Sequence, residues 1–162
     1  MDAMEWRGTM GKFATGVTVI TTIDEQGSPV GMTANAFTSL SLDPPMVLIC
    51  VDNKSDTLAK LLASNKYCVN ILADNQEEVS RKFARKGGPE KFEDAAYRLG
   101  ESGVPVLEGC LVSVECQVKE AVQGGDHVVL LGEGLHIHQT ESETQPLLFY
   151  RGKYEKLNII GA

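Results

Sequence analysis

Two long β-prone runs, residues 110–122 and 128–139, face each other across Gly124-Gly125. A glycine pair between two such runs is a hairpin signal. Thirteen and twelve residues are long for strands, and Gly132 and Gly134 interrupt the second run. Those glycines predict bulges or a barrel corner.

The rest of the chain adds strands of the same kind. Residues 17–22 are β-branched throughout, which favours a strand. Residues 25–28 form a turn, and 29–37 return as a second strand. Residues 45–51, PMVLICV, are continuously apolar, which predicts a strand buried on both faces. Further strands are predicted at 67–72, 104–107, 147–151 and 154–160.

Helix signals are fewer. Asp2 with Glu5 caps a short N-terminal helix that ends over 9–13. Ser55 is an N-cap candidate, Asp56 suits the first turn, and Leu58, Leu61 and Leu62 follow at helical spacing. Asp74 with Glu77 opens a third helix through Val79, Phe83 and Ala84, and 85–89 (RKGGP) end it. Six or seven long strands with two or three helices, and no regular βαβ alternation, predict a mainly β fold. The expected form is an antiparallel barrel with helices packed outside, one domain spanning 1–162.

Charge narrows the partners. The net charge of -7 and pI near 5.0 argue against nucleic acid, which wants a basic stripe. There is no polybasic segment for anionic lipid and no apolar run near the ~20 residues a membrane helix needs. The first residues, MDAMEWRGTMGKF, carry early charges and no apolar core, so they do not read as a signal peptide. The expected location is cytoplasmic. Cys50, Cys68, Cys110 and Cys116 form no CxxC pair and read as small buried hydrophobes kept reduced. No metal site is expected. His136 and His138 read as a solvent-facing pair.

Four places could carry chemistry. Residues 31–45, GMTANAFTSLSLDPP, set small hydroxyl and amide side chains between two apolar runs. Such residues let a planar polar ring or a phosphate approach the main chain. The alternative is a polar loop rich in turn formers. Alternation along a strand would point Thr33, Asn35 and Phe37 one way, and Met32, Ala34 and Ala36 the other. Asp52-Asn53-Lys54-Ser55 joins a strand to a helix start, either a phosphate anchor or an ordinary capped helix. His127, after Gly124-Gly125-Asp126, sits where a strand opens. It could stack on a heterocycle, or be a plain hydrogen-bonding residue. Phe149-Tyr150-Arg151 with Tyr154 could flank a flat anionic ligand, or be core plus a surface charge. No G-x-G-x-x-G, Walker A, G-x-S-x-G or H-E-x-x-H motif occurs.

In order along the chain, FATGVTVITT (13–22), GMTANAFTSLSLDPP, CVDNKS (50–55), FA (83–84), GDH (125–127) and PLLFYRGKY (146–154) resemble the short-chain flavin reductases. These are the reductase components of two-component flavin-dependent monooxygenases. The resemblance runs from about Arg7 to Leu157. It implies an FMN-binding split barrel, a homodimer, and NADH- or NADPH-dependent reduction of FMN or FAD. Reduced flavin would then diffuse to a partner monooxygenase. It also implies that Thr33, Ala34 and Asn35 lie against the flavin ring edge. Ser39 and Ser41 would hold the ribityl chain or phosphate, as would Asp52, Lys54 and Ser55. Phe83, Ala84 and Arg85 would border the tail. His127 would meet the nicotinamide or flavin ring, with Tyr150 and Arg151 on the C-terminal side. Other readings on the same fold are a tight flavin electron carrier or ferric reductase, and a non-enzymatic flavin-binding module.

Overall fold

The two edge strands of the main sheet are consecutive in the chain, and that connection forces the sheet to curl. The protein is described by a computed structural model over residues 1–139 and 144–158. A helix α1 (Ala3–Met10) leads into β1 (Thr15–Gly16), β2 (Thr18–Ile23), β3 (Pro29–Ala34), β4 (Phe37–Leu42) and β5 (Pro45–Asp52). Then come α2 (Leu58–Ser64), β6 (Lys66–Ile71), α3 (Glu77–Phe83), a 3₁₀ turn (Pro89–Phe92), β7 (Tyr97–Leu99) and β8 (Pro105–Leu107). The long pair β9 (Val112–Gly124) and β10 (His127–Gln139) precedes β11 (Leu147–Tyr150) and β12 (Lys153–Lys156).

Seven strands pair antiparallel in the order β3-β2-β6-β9-β10-β5-β4. Only Asn35 and Ala36 separate β3 at one edge from β4 at the other. The Cys50 N–H donates to the Ala36 carbonyl at 3.0 Å and ties β5 to that link. The result is the expected antiparallel barrel with flanking helices. Its interior holds Ile20, Ile49, Val51, Tyr67, Val69 and Leu130, and Leu61 of α2 joins them. A second core lies outside, where Val17 and Val19 of the β1–β2 stretch meet Phe83 of α3, Phe92 and Leu147. Each of the two clusters is apolar surface withdrawn from water, the main favourable term in folding.

The register of β10 on β9 shifts between Leu131 and Gly132 and again between Gly134 and His136, where bulges were predicted. Gly132 has a packing reason as well. A Cβ there would fall 1.9 Å from the Tyr67 hydroxyl.

Several expectations need correction. The strand predicted over 29–37 stops at Ala34 and restarts at Phe37, because the Asn35-Ala36 bend carries the chain between sheet edges. Alternation therefore does not run from Thr33 through Phe37. Strand β5 is buried only at Ile49 and Val51; Leu48 and Cys50 border an open cleft. An apolar run reads the same whether its second face is covered or left at a cleft wall. Cys50 is accordingly half-buried, while Cys68, Cys110 and Cys116 are buried. Ser55 does not cap α2. Thr57 occupies that position, and the Ser55 hydroxyl accepts from the Thr57 N–H at 3.3 Å. Asp74 does not cap α3 either. Gln76 stands there, its amide oxygen accepting from Ala73 N–H at 3.0 Å, while Asp74 lies 3.9 Å from Lys156. The last strand ends at Lys156; the predicted residues 159 and 160 lie outside the described ones.

His138 is not solvent-facing. Its Nε2 lies 2.6 Å from the buried Glu115 carboxylate, and Arg98 stands 2.8 Å from its Nδ1. Arginine only donates, so Nδ1 accepts and Nε2 carries the proton given to Glu115. Glu115 also accepts from the N–H groups of Glu101 at 2.9 Å and Ser102 at 2.6 Å. Burial pushes its pKa up, but the donors from His138, Ser102 and Glu101 outweigh that and hold it below the usual carboxylate range. A depressed folded pKa means stability that is present above the ordinary carboxyl range and lost as pH falls through the folded value. Glu115→Gln should therefore cost about 2 kcal/mol near neutral pH, since three bonds to a charged acceptor are weakened. It should also flatten the acid limb of the stability curve, measured by urea unfolding from neutral to acid pH. An unchanged acid limb would show that Glu115 is not the group responsible.

Candidate functional site

The seam where β3 meets β5 carries the site. Residues alternate across β5, so Leu48, Cys50 and Asp52 share the face turned away from the barrel interior. Leu48 and Cys50 border a cleft of about 1320 Å³, walled also by Met4 and Phe13 near the N-terminus, by Asn35 of the barrel link and by Phe37 of β4. Its walls are mostly apolar side chains and glycines, with Arg7 and Arg151 as the charged members. Two residues further along the same face, Asp52 borders a second cleft of about 350 Å³ with Ser55, Lys54, Lys86 and Lys91. An adjoining groove of about 640 Å³ shares Lys54 and Gly87 with it and reaches Lys60. One stripe thus runs from an apolar hollow to a cluster of lysines.

Local sequence explains both ends. At the apolar end, Gly11 ends α1 and its carbonyl accepts from the Arg151 N–H at 2.8 Å. That bond holds the β11–β12 turn against the helix. Arg151 takes a φ of +48° there, and its guanidinium lies 5.1 Å from the centre of the Tyr150 ring. Phe149 lies on the cleft wall and meets Tyr154 edge to face at 5.4 Å. At the lysine end, the Asp52 carboxylate accepts from the Lys54 N–H at 2.8 Å. This Asx-type turn delays the helix to Leu58. Helix α2 has only seven residues, so its dipole is not the source of an anion site. The positive charge there comes from the side chains of Lys54, Lys86 and Lys91, set against Asp52 and Asp56.

The residues singled out from sequence fall into three groups. Asn35, Asp52, Lys54, Ser55 and Arg151 line the clefts. Thr33, Ala34, Phe83, Ala84, Arg85, Tyr150 and His127 are not among the lining residues of these clefts. Thr33 donates its hydroxyl to the Ser80 carbonyl at 2.6 Å. Ala34 is buried in the barrel interior, with its carbonyl taken by the Thr18 hydroxyl at 2.6 Å. The Phe83 ring is in the outer core, where it fills the space a side chain on Gly31 would need. His127 opens β10 opposite Asp52, exposed, with Nδ1 2.7 Å from Asp126. Ser39 and Ser41 form the third group. They pair with Val47 and Met46. By strand rise that places Ser41 roughly 20 Å from Asp52, so one phosphate cannot meet both in this protomer.

Sequence reading missed Lys86, Gly87 and Lys91. Two lysines flank a Gly-Gly pair in RKGGPEK (85–91), a pattern that reads equally as the end of a helix. It also missed Met4 and Phe13, whose exposure by the cleft (85% and 77%) depends on where α1 docks.

The stripe fits a flavin on two counts. The apolar hollow is large enough for a flat tricyclic ring, and the lysine end suits its anionic tail. Comparisons with known proteins agree. A flavin reductase of Pseudomonas putida is 38% identical over 154 residues, covering 95% of this chain and 89% of that one. The reductase subunit HsaB of a flavin-dependent monooxygenase from Mycobacterium tuberculosis is 39% identical over 155 residues, covering 95% and 82%. The solved NADH:FAD oxidoreductase SgcE6 of Streptomyces globisporus, in complex with NAD and FAD fragments, superposes with a TM-score of 0.91. It is 36% identical and covers 98% of this chain and 94% of that one. The model of the flavin reductase like domain matches residues 10–158, and on these matches the chain belongs to the flavin reductase family.

Proposed function

We propose that this protein transfers hydride from NADH to FMN or FAD and releases the reduced flavin to a partner monooxygenase. The observation that carries the reading is the single face of β5 that joins an apolar hollow to a lysine cluster. An amphiphilic flavin nucleotide has the same two ends. Bound flavin supplies the chemistry by accepting the nicotinamide hydride. The chain's own part is to hold two flat rings in contact and keep water away. Leu48, Phe37 and Phe149 offer apolar walls for this, and Asn35 offers an amide at the rim. Lys54 and Ser55 hold the tail at the other end. His127, steadied by Asp126, stands next to Asp52 and orients the nicotinamide.

A homodimer completes the hollow in this reading. Met4, Met10 and Phe13 are 85%, 48% and 77% exposed on the wall of one cleft, a concentration of bare apolar surface that a second copy would cover. NADH is favoured over NADPH by the oxidoreductase with which the chain superposes. The protein acts in the cytoplasm. Among the described residues no helix is long and apolar enough to cross a membrane.

Steady-state kinetics with free flavin test the reading. Rates of NADH oxidation should saturate with added FMN or FAD. A rate independent of added flavin would instead mark a tight electron carrier.

A further inference from the structure

Lys91 is a buried cation with no ion pair among the described residues. It is 6% exposed. Its ammonium donates to the carbonyls of Gly31 at 3.2 Å and Phe83 at 3.3 Å. Among the described residues no carboxylate lies within ion-pair distance of it. The neighbouring Glu90 carboxylate is turned to the Gly88 N–H at 2.8 Å, and Asp56 acts only from further off. An ammonium has three donors, and two are used. A charge withdrawn from water without a partner is costly, and burial indeed pushes the Lys91 pKa down.

What Lys91 borders tells what is missing. It lines the 350 Å³ cleft with Lys54 and Lys86, against Asp52 and Asp56. Asp52 already accepts from the Lys54 N–H. Gly87 forms the wall beside it. A Cβ on Gly87 would meet the Glu90 carboxylate at 2.4 Å and the Lys91 Cε at 3.3 Å, and its φ is +147°. The missing side chain leaves room for this lysine beneath the loop. The two carbonyls fix the ammonium in place before any ligand arrives. Its position is therefore preorganised, which lowers the entropy lost on binding.

We propose that Lys91 recognises the flavin phosphate, and that it makes the protein select flavin nucleotides over unphosphorylated riboflavin. This rests on the flavin reading above. The rival role is a purely structural tie between β3, α3 and the 3₁₀ turn.

The test is equilibrium binding of riboflavin, FMN and FAD to the wild type and to Lys91→Met, followed by flavin fluorescence. The wild type should bind FMN and FAD at least about 10-fold more tightly than riboflavin. Lys91→Met should lose about 10- to 100-fold for FMN and FAD, the size of one charge-assisted hydrogen bond, and change little for riboflavin. Comparing FMN with FAD separates a terminal phosphate from a bridging pyrophosphate as the group held. Equal weakening of all three ligands would make Lys91 a structural tie and overturn the proposal. So would a wild type that does not distinguish FMN from riboflavin, a result that stands even if Lys91→Met fails to fold. Failure of the flavin reading looks different: none of the three ligands, riboflavin included, would bind, and both proposals would fall.

Discussion

Asn70→Leu should destabilise the protein by about 4 kcal/mol, since it strands two buried main-chain groups at about 1–3 kcal/mol each and also removes two hydroxyl partners. Asn70 is fully buried on β6. Its amide nitrogen donates to the Val19 carbonyl and the Thr21 hydroxyl, both at 3.0 Å. Its amide oxygen accepts from the Leu107 N–H at 2.9 Å and the Ser113 hydroxyl at 2.8 Å. One side chain thus ties β2, β8 and β9 together. Leucine has nearly the same volume, so no cavity confuses the result. Thr21 keeps a partner in the Pro105 carbonyl, but the Leu107 N–H and the Val19 carbonyl lose the Asn70 amide. The check is the urea midpoint at constant slope. A loss below about 1 kcal/mol would mean that water replaces the amide, which this tightly enclosed site does not favour.

The second large effect separates function from folding. Cys50 faces the apolar cleft, whereas its neighbours Ile49 and Val51 face the barrel interior. Cys50→Trp should therefore fill the hollow and leave the core intact. Flavin-dependent NADH oxidation should fall by about 100-fold, the scale expected when reacting rings are displaced by an ångström or more. The unfolding midpoint should stay nearly unchanged. Its control is Ile49→Ala, which should cost about 3 kcal/mol of stability and leave the cleft wall in place. If Cys50→Trp turned over flavin normally, the ring would have to sit elsewhere.

The barrel was legible in the sequence because strand signals are local. β-branched residues at 17–22 and the Gly124-Gly125 pair announce their structure within a few residues. Bulges at Gly132 and Gly134 were legible for the same reason. The helix starts were not, because neither Thr57 nor Gln76 at the N-cap position makes a side-chain capping bond that a sequence pattern could announce. The Ser55 hydroxyl instead accepts from the Thr57 N–H, and Asp74 faces Lys156. The break after Ala34 was also hidden. Asn35-Ala36 carries no turn glycine or proline, and only barrel closure explains the bend.

The site divides in the same way. Asn35, Lys54 and Arg151 could be picked out because family-like motifs surround them. Ser39 and Ser41 look alike to those motifs, yet the register of β4 on β5 carries them along the strand and away from the lysines. Lys91 was invisible. A lysine after Pro89-Glu90 reads as surface, and its burial depends on the Gly31 carbonyl, sixty residues away. Long-range packing decides such cases, and propensity has no access to it.

An anaerobic titration with NADH tests the central claim most directly. FAD or FMN is mixed with a catalytic amount of the protein, and NADH is added stepwise. The account predicts that the yellow flavin absorbance is lost in proportion to the NADH added, only when protein is present, and returns on admitting air. Flavin that stays yellow with both NADH and NADPH would contradict it.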